Sequence, residues 1–196
     1  MIRIGLTGNI GTGKSTIARI FSSLQIPVYH ADIRSRQLLS LSEVTSRVAE
    51  IFGIGILNSE NQVDRKALAS IVFADEGKLS QLNGIMHPLV RLDYDAWCTQ
   101  QTAVYSIHEA AILFESGFNK LFDSTVLVIA PVEKCIQRVM IRDHMIRELV
   151  KERMAHQWPQ EEKQKLAGFV INNDEQHLVI PQVLEIHQKI LALAGR

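Results

Sequence analysis

Eight consecutive residues, Gly8-Asn9-Ile10-Gly11-Thr12-Gly13-Lys14-Ser15, fit the pattern G-x-x-x-x-G-K-[S/T] without a gap. Glycines at these positions let the backbone curl until successive N–H groups point into one concavity, and a helix starting directly behind them aims its positive end at the same spot. An anion of phosphate size fits such a nest. In that arrangement the Lys14 ammonium reaches the β- and γ-phosphates of a nucleotide, the Ser15 hydroxyl ligates a Mg²⁺ ion bridging them, and Thr16 extends the nest. Gly8, Gly11, Thr12, Gly13, Lys14, Ser15 and Thr16 are therefore the expected contacts for ATP with Mg²⁺. The motif alone does not separate a kinase from a GTPase or an ATP-driven machine.

Other residues narrow the choice. Asp32 follows a second strand-like segment, so it is expected at the carboxyl edge of the sheet, where it could accept the proton of an attacking hydroxyl or help hold the metal. Asp is equally a favoured N-cap for a helix from Ile33 onward, and the local sequence leaves both readings open. Arg138, Arg142, Arg147 and Arg153 form a cationic run with intervening acids. Such runs are mostly solvated helix faces, but a phosphotransferase must also neutralise charge on the group in flight, and Arg142 is the preferred member for that task. Glu109 ends an apolar segment, the place where P-loop proteins keep a metal-associated acid, and is a second candidate for the metal. His87, before Pro88, reads as a packing residue at a helix end, and His30 as an exposed side chain.

The elements that must carry these residues follow from periodicity. Arg3 to Thr7 is short and apolar and runs into glycines, the mark of a buried parallel strand; from Lys14 to Leu24 apolar residues recur at helical spacing until Pro27 ends the pattern. Pro27 to Tyr29 is a second strand and Ile33 to Leu41 a second helix, a rhythm that implies a parallel sheet. From about 43 to 101 the periods are helical throughout. Strand character resumes at Ala103 to Ile107 and Thr125 to Ala130, charged helices follow over Glu133 to Arg142 and Arg147 to Gln157, and a last strand (Gly168 to Ile171) precedes a closing helix (His177 to Ala194). The expected fold is α/β: a three-layer P-loop core (1–42, 102–131, 168–196) with a helical insertion (43–101) and a helical lid (132–167).

The 196 residues are 46% apolar and carry 21 basic and 21 acidic side chains, enough to bury one core and no net charge to attract nucleic acid or anionic lipid. Cys98 and Cys135 show neither disulfide nor zinc spacing. Nothing resembles a signal peptide or an apolar run of the ~18 residues that span a membrane, so a cytoplasmic protein is expected.

In order along almost its whole length, the chain resembles the dephospho-CoA kinase family. Gly-Asn-Ile-Gly-Thr-Gly-Lys-Ser-Thr resembles that family's G-G-I-G-S-G-K-S-T, and Tyr29-His30-Ala31-Asp32 its D-A-D strand end, with Asp32 at the second, catalytic Asp. Val63-Asp64-Arg65-Lys66-Ala67-Leu68, Ile71-Val72-Phe73, Leu82-Asn83 and His87-Pro88 resemble D-R-x-x-L, I-V-F and L-N-x-x-x-H-P of the CoA-binding helical region. Ile112-Leu113-Phe114-Glu115 is similar to P-L-L-F-E, and Gln137-Arg138 with Arg142-Asp143 to the lid's Q-R-x-x-x-R-D. Arg153-Met154-Ala155-His156-Gln157, Glu162-Lys163 and Val170-Ile171-Asn172-Asn173 complete the series.

The resemblance implies Mg-ATP as donor and dephospho-CoA as acceptor, with Asp32 as general base, Asn173 among the nucleotide contacts and Arg65 and His87 among the acceptor contacts. A monomer or weak homo-oligomer is expected. Two positions depart from the pattern: His30 replaces the first Asp of D-A-D, and Ala111 replaces the Pro of P-L-L-F-E, removing a rigid φ. A kinase for another small hydroxyl shares the same core. A guanine-nucleotide switch would show N-K-x-D, and Asn119-Lys120 is followed two places later by Phe122 rather than Asp.

Overall fold

The computed structural model describes residues 1–72 and 74–195; Phe73, the last residue of the Ile71-Val72-Phe73 match, lies outside them. Among these residues five short apolar runs pair, all parallel, as β1 (Ile2–Thr7), β2 (Val28–His30), β3 (Tyr105–Glu109), β4 (Ser124–Ile129) and β5 (Phe169–Asn172), in the order β2-β3-β1-β4-β5. Helices join them: α1 (Lys14–Ser23), α2 (Ala31–Leu39), α3 (Ser42–Phe52), α4 (Arg65–Val72), α5 (Glu76–Thr99), α6 (Val132–Asp143), α7 (Arg147–Ala155), α8 (Gln160–Leu166) and α9 (Val179–Ala194).

Side chains alternate across a strand, so each strand offers every second residue to one face. Ile4 and Leu6 of β1, Tyr105 and Ile107 of β3, Val126 and Val128 of β4 and Ile171 of β5 meet Ile17, Ala18 and Phe21 of α1 and Val183, Ile186 and Ile190 of α9. Each such side chain taken fully out of water contributes about 1.5–3 kcal/mol. That burial holds the carboxyl end of β1, and the loop that follows it, against a rigid platform.

The chain divides into two compact units, one of Met1–His30 with Gln101–Arg196 and one of Ala31–Gln100. The second has its own apolar centre, in which Val44 and Val48 of α3, Leu68 and Val72 of α4 and Ile85 and Met86 of α5 pack around Ile56. The boundary falls at Ala31, not near 43: α2 packs with α5, and Arg34 grips Asp93 through Nε and an Nη donor, so α2 belongs with the helical unit rather than with the core segment 1–42 expected from the sequence.

Pro88 also behaves differently from the expectation. α5 runs 24 residues straight through it, so His87 is mid-helix rather than at a helix end. Proline removes one N–H and crowds the carbonyl four residues back; that residue is Gly84, and Asp75 caps the helix start by accepting from Gly77 N (2.8 Å) and Lys78 N (3.2 Å). Capping and a long packed helix outweigh one missing bond. α8 was not foreseen either, since seven residues are too few for a legible period.

Candidate active site

β1 is flanked by β3 and β4; the chain leaves β1 toward β2 and leaves β4 toward β5, on opposite halves of the sheet, which makes the switch point at which open parallel sheets bind ligands. The loop Gly8 to Gly13 lies there. Gly11 has φ +82° and a Cβ on it would run into the backbone of Cys135 in α6; Gly13 has φ +95° and a Cβ would run into Asn173 Nδ2. Both positions combine a left-handed backbone with close approach, which only glycine tolerates.

The loop is also stitched internally. The Asn9 carbonyl accepts from Thr12 N (3.2 Å), Thr12 Oγ1 (2.8 Å) and Lys14 Nζ (3.2 Å), and Asn173 Nδ2 donates to the Thr12 carbonyl at 2.8 Å. No side chain caps α1 at Gly13, so its first N–H groups and its positive dipole end stay available to an anion. Asn173, expected among the nucleotide contacts, is thus brought against the cradle.

Glu109, at the end of β3, sets one carboxylate oxygen 3.4 Å from Ser15 Oγ and the other 2.7 Å from His30 Nδ1. A buried carboxylate needs such partners to offset its lost hydration. Because that carboxylate can only accept, the geometry assigns the proton to Nδ1 of His30. His30 is therefore not the merely exposed side chain expected: an Asp in its place would set a second acid beside Glu109, whereas the imidazole donates. Ser15 and Glu109 offer hard oxygen donors at the mouth of the cradle, the ligand type Mg²⁺ takes when phosphates and waters complete its shell. Among the described residues no three His, Cys, Asp or Glu side chains form an all-protein cage.

The cation that touches the loop is Arg138, not the preferred Arg142. Arg138 donates to the Gly11 carbonyl (3.4 Å), the Asn173 carbonyl (3.1 Å) and Glu175 Oε1 (3.1 Å). Arg142 is largely exposed and turned onto its neighbour Asp143 through Nε (2.7 Å) and Nη2 (2.8 Å), holding that carboxyl below its usual range. One turn of helix separates the two arginines along one face, and only Arg138 reaches the cradle. Arg147 pairs with Glu133 at 2.6 Å on an exposed surface, as a solvated helix face should.

In the helical unit Asp32 is exposed on the first turn of α2, which begins at Ala31, so it is not the N-cap of a helix from Ile33. Arg65 is exposed at the first residue of α4, where Asp64 caps by accepting from Lys66 N at 2.8 Å. His87 is half-buried in α5, and burial lowers its pKa.

The sequence reading missed how residues 157 and 158 hold the loop. Ile10 N donates to Gln157 Oε1 (2.8 Å), and Asn9 Nδ2 donates to the Trp158 carbonyl (3.0 Å). The only signal was the Arg-Met-Ala-His-Gln match, which carries no chemistry of its own.

The family model described as dephospho-CoA kinase matches residues 2–178. A dephospho-CoA kinase of Bacteroides fragilis is 35% identical, covering 96% of this chain and 95% of that relative. Among solved structures, a protein from Thermus thermophilus is similar with a TM-score of 0.88 at 33% identity, and the dephospho-CoA kinase from Campylobacter jejuni with a TM-score of 0.67 at 27% identity; each alignment covers 96% of both chains.

Proposed function

The chain belongs to the dephospho-CoA kinase family, and from that premise we propose how its residues share the transfer of the γ-phosphoryl of ATP to the ribose 3′-hydroxyl of dephospho-coenzyme A. The observation that carries the nucleotide half of the assignment is the unbroken Gly8–Ser15 loop at the carboxyl end of β1, with Ser15 facing Glu109, and the family match over residues 2–178 carries the acceptor half. The backbone N–H groups from Gly11 to Thr16 cradle the ATP phosphates, and Lys14 neutralises charge on the group being transferred. Gly8 and Thr12 shape the turn. Ser15 and Glu109 would hold Mg²⁺, which when bound screens the phosphate charge.

Asp32 accepts the proton of the attacking hydroxyl, a task for an acid two residues past the end of β2. Arg65 and His87 contact dephospho-CoA within the helical region, for which 31–100 is a better boundary than 43–101. Arg142 reaches the γ-phosphoryl only after releasing Asp143, so it acts with closure of the part of the 132–167 segment that precedes Gln157; Arg138 orders the loop beforehand. Positioning and charge neutralisation supply most of the rate, as little covalent work falls to the protein. We place the protein in the cytoplasm as a monomer or weak homo-oligomer with no nucleic-acid or membrane partner. The zero net charge offers no field for nucleic acid or anionic lipid, and among the described residues no helix is long and apolar enough to cross a membrane.

The test incubates the purified chain with dephospho-CoA, ATP and Mg²⁺, couples ADP release to a readout and measures product mass. One added phosphate on the acceptor is expected. A folded protein that leaves dephospho-CoA untouched but phosphorylates another small alcohol would sink the acceptor assignment.

A further inference from the structure

Gln157, Glu115 and Lys163 lie in matched segments of the sequence and have no part in the chemistry above. We propose that Glu115 and Lys163 are a positioning pair for the phosphate loop, acting through Gln157 and Trp158; the inference rests on the reading of Gly8 to Thr16 as the ATP cradle. Lys163 of α8 is fully buried, and its Nζ lies 2.6 Å from Glu115 Oε1. The same oxygen accepts Trp158 N–H at 3.0 Å. The Trp158 carbonyl then accepts Asn9 Nδ2 at 3.0 Å, while Gln157 accepts Ile10 N–H at 2.8 Å through Oε1 and donates through Nε2 to the Ala111 carbonyl at 3.4 Å. Ala111 O also accepts Thr7 Oγ1 at 3.4 Å. The two ends of the strap are therefore the first turn of the cradle and a carboxylate held by a buried ammonium.

A pair of this kind is a poor choice for stability alone. Removing both charges from water costs more than their attraction commonly returns, and apolar replacements of similar volume are often neutral or stabilising. Here the cost is aggravated: apart from the ion pair, Lys163 Nζ and Glu115 Oε2 have no hydrogen-bond partner among the described residues. Burial lowers the Lys163 pKa against the opposing pull of Glu115. What the pair does achieve is directional. A carboxylate pinned by Lys163 presents one fixed oxygen to Trp158, and that fixes where the Trp158 carbonyl points.

Asn9 is buried, with its Oδ1 unpartnered among the described residues, so its orientation rests on the Nδ2 bond to Trp158. Ile10 is held twice, by Gln157 at its N–H and by packing against Ile136, Val139 and Val150 of α6 and α7. With Ile10 N–H turned outward to Gln157, the inward-facing donors begin at Gly11. The anchored span 157–163 cannot move as a flap with α7, so any closing segment ends before Gln157.

The test replaces the pair by an apolar one, Glu115→Leu with Lys163→Met, and separately cuts the strap with Gln157→Ala. Kd for ADP is measured by calorimetry, KM for each substrate and kcat by coupled assay, and Tm by calorimetric melting. We expect the apolar pair to keep its Tm within a few degrees of the parent while Kd for ADP and KM for ATP rise about tenfold, with KM for dephospho-CoA unchanged. Gln157→Ala should give the same signature, and adding it to the apolar pair should cause little further loss, as expected for links in one chain. Parent-like ADP affinity in both variants would overturn the proposal. Lys14→Ala separates the two failures: lost ADP binding there, with parent-like binding in both anchor variants, removes the anchor and leaves the cradle.

Discussion

The phosphate loop and the helical unit position their polar residues in opposite ways. In the phosphate loop the Asn9 carbonyl gathers Thr12 and Lys14, and Gly11 and Gly13 are wedged against Cys135 and Asn173, whereas Asp32 and Arg65 stand exposed on the first turns of α2 and α4. A nest that must stabilise a highly charged group performs best when its dipoles are already aimed and need no reorganisation. A site that selects a large, flexible acceptor can leave ordering of its side chains to the binding event, at a cost in affinity for each one fixed. The contrast predicts that losses at the loop appear as lost nucleotide binding and chemistry and losses in the helical unit appear as lost acceptor affinity, except at the one helical-unit residue assigned to chemistry.

Lys14→Ala should give the largest effect, a fall in kcat/KM for ATP of about 10³-fold, on the order of 4 kcal/mol. Activity within threefold of the parent in a coupled assay would dissolve the distinction altogether. Asp32→Asn comes next. Removing a general base should cut kcat by about 10² to 10⁴-fold while leaving Kd for ADP unchanged; unaltered turnover would return Asp32 to the exposed acceptor surface.

Arg65→Ala tests the helical unit itself. KM for dephospho-CoA should rise about tenfold, near 1.4 kcal/mol, with kcat and KM for ATP within twofold of the parent. A fall in kcat alone would mean that Arg65 acts in the reaction and that the contrast between units is drawn in the wrong place.

The last effect is on acid stability rather than on turnover. His108 of β3 is buried between Tyr29 and Phe122, each ring centroid 5.0 Å away, and burial pulls its pKa from 6.5 down to about 3. Below pH 6.5 the unfolded chain takes up a proton that the folded chain refuses, so this contribution is complete above 6.5 and is lost as the pH falls toward 3. The slope is about 1.4 kcal/mol per pH unit. Denaturant melts between pH 7 and 5 should therefore lose about 1–2 kcal/mol from this site, and His108→Phe should flatten that part of the profile. His87, half-buried in the helical unit, is shifted in the same direction; a profile unchanged by His108→Phe would assign the acid sensitivity elsewhere.

Much of this was legible before any coordinates. Gly8 to Ser15, the alternating strands and the helical run after α2 are local patterns, and local patterns survive folding because they are set by backbone sterics and side-chain period. The choice between Arg138 and Arg142 was not legible, since both sit at helical spacing on one charged face and only packing of α6 against Gly11 decides which reaches the loop. The bond from His30 to Glu109 joins residues 79 apart in sequence, and the strap from Ile10 to Gln157 joins residues 147 apart.

The sequence by itself determined that this protein cradles phosphate, that the cradle ends a parallel strand, and that the chain is of the dephospho-CoA kinase kind. The tertiary structure alone decided what holds the cradle in shape: a histidine in place of an acid beside Glu109, Arg138 on its rim, and Gln157 and Trp158 tied back to a buried ion pair. The reason is physical. A phosphate nest is written in consecutive dihedral angles, which neighbouring residues dictate, whereas the partners of its polar groups are chosen by distance in space, where sequence separation leaves no mark.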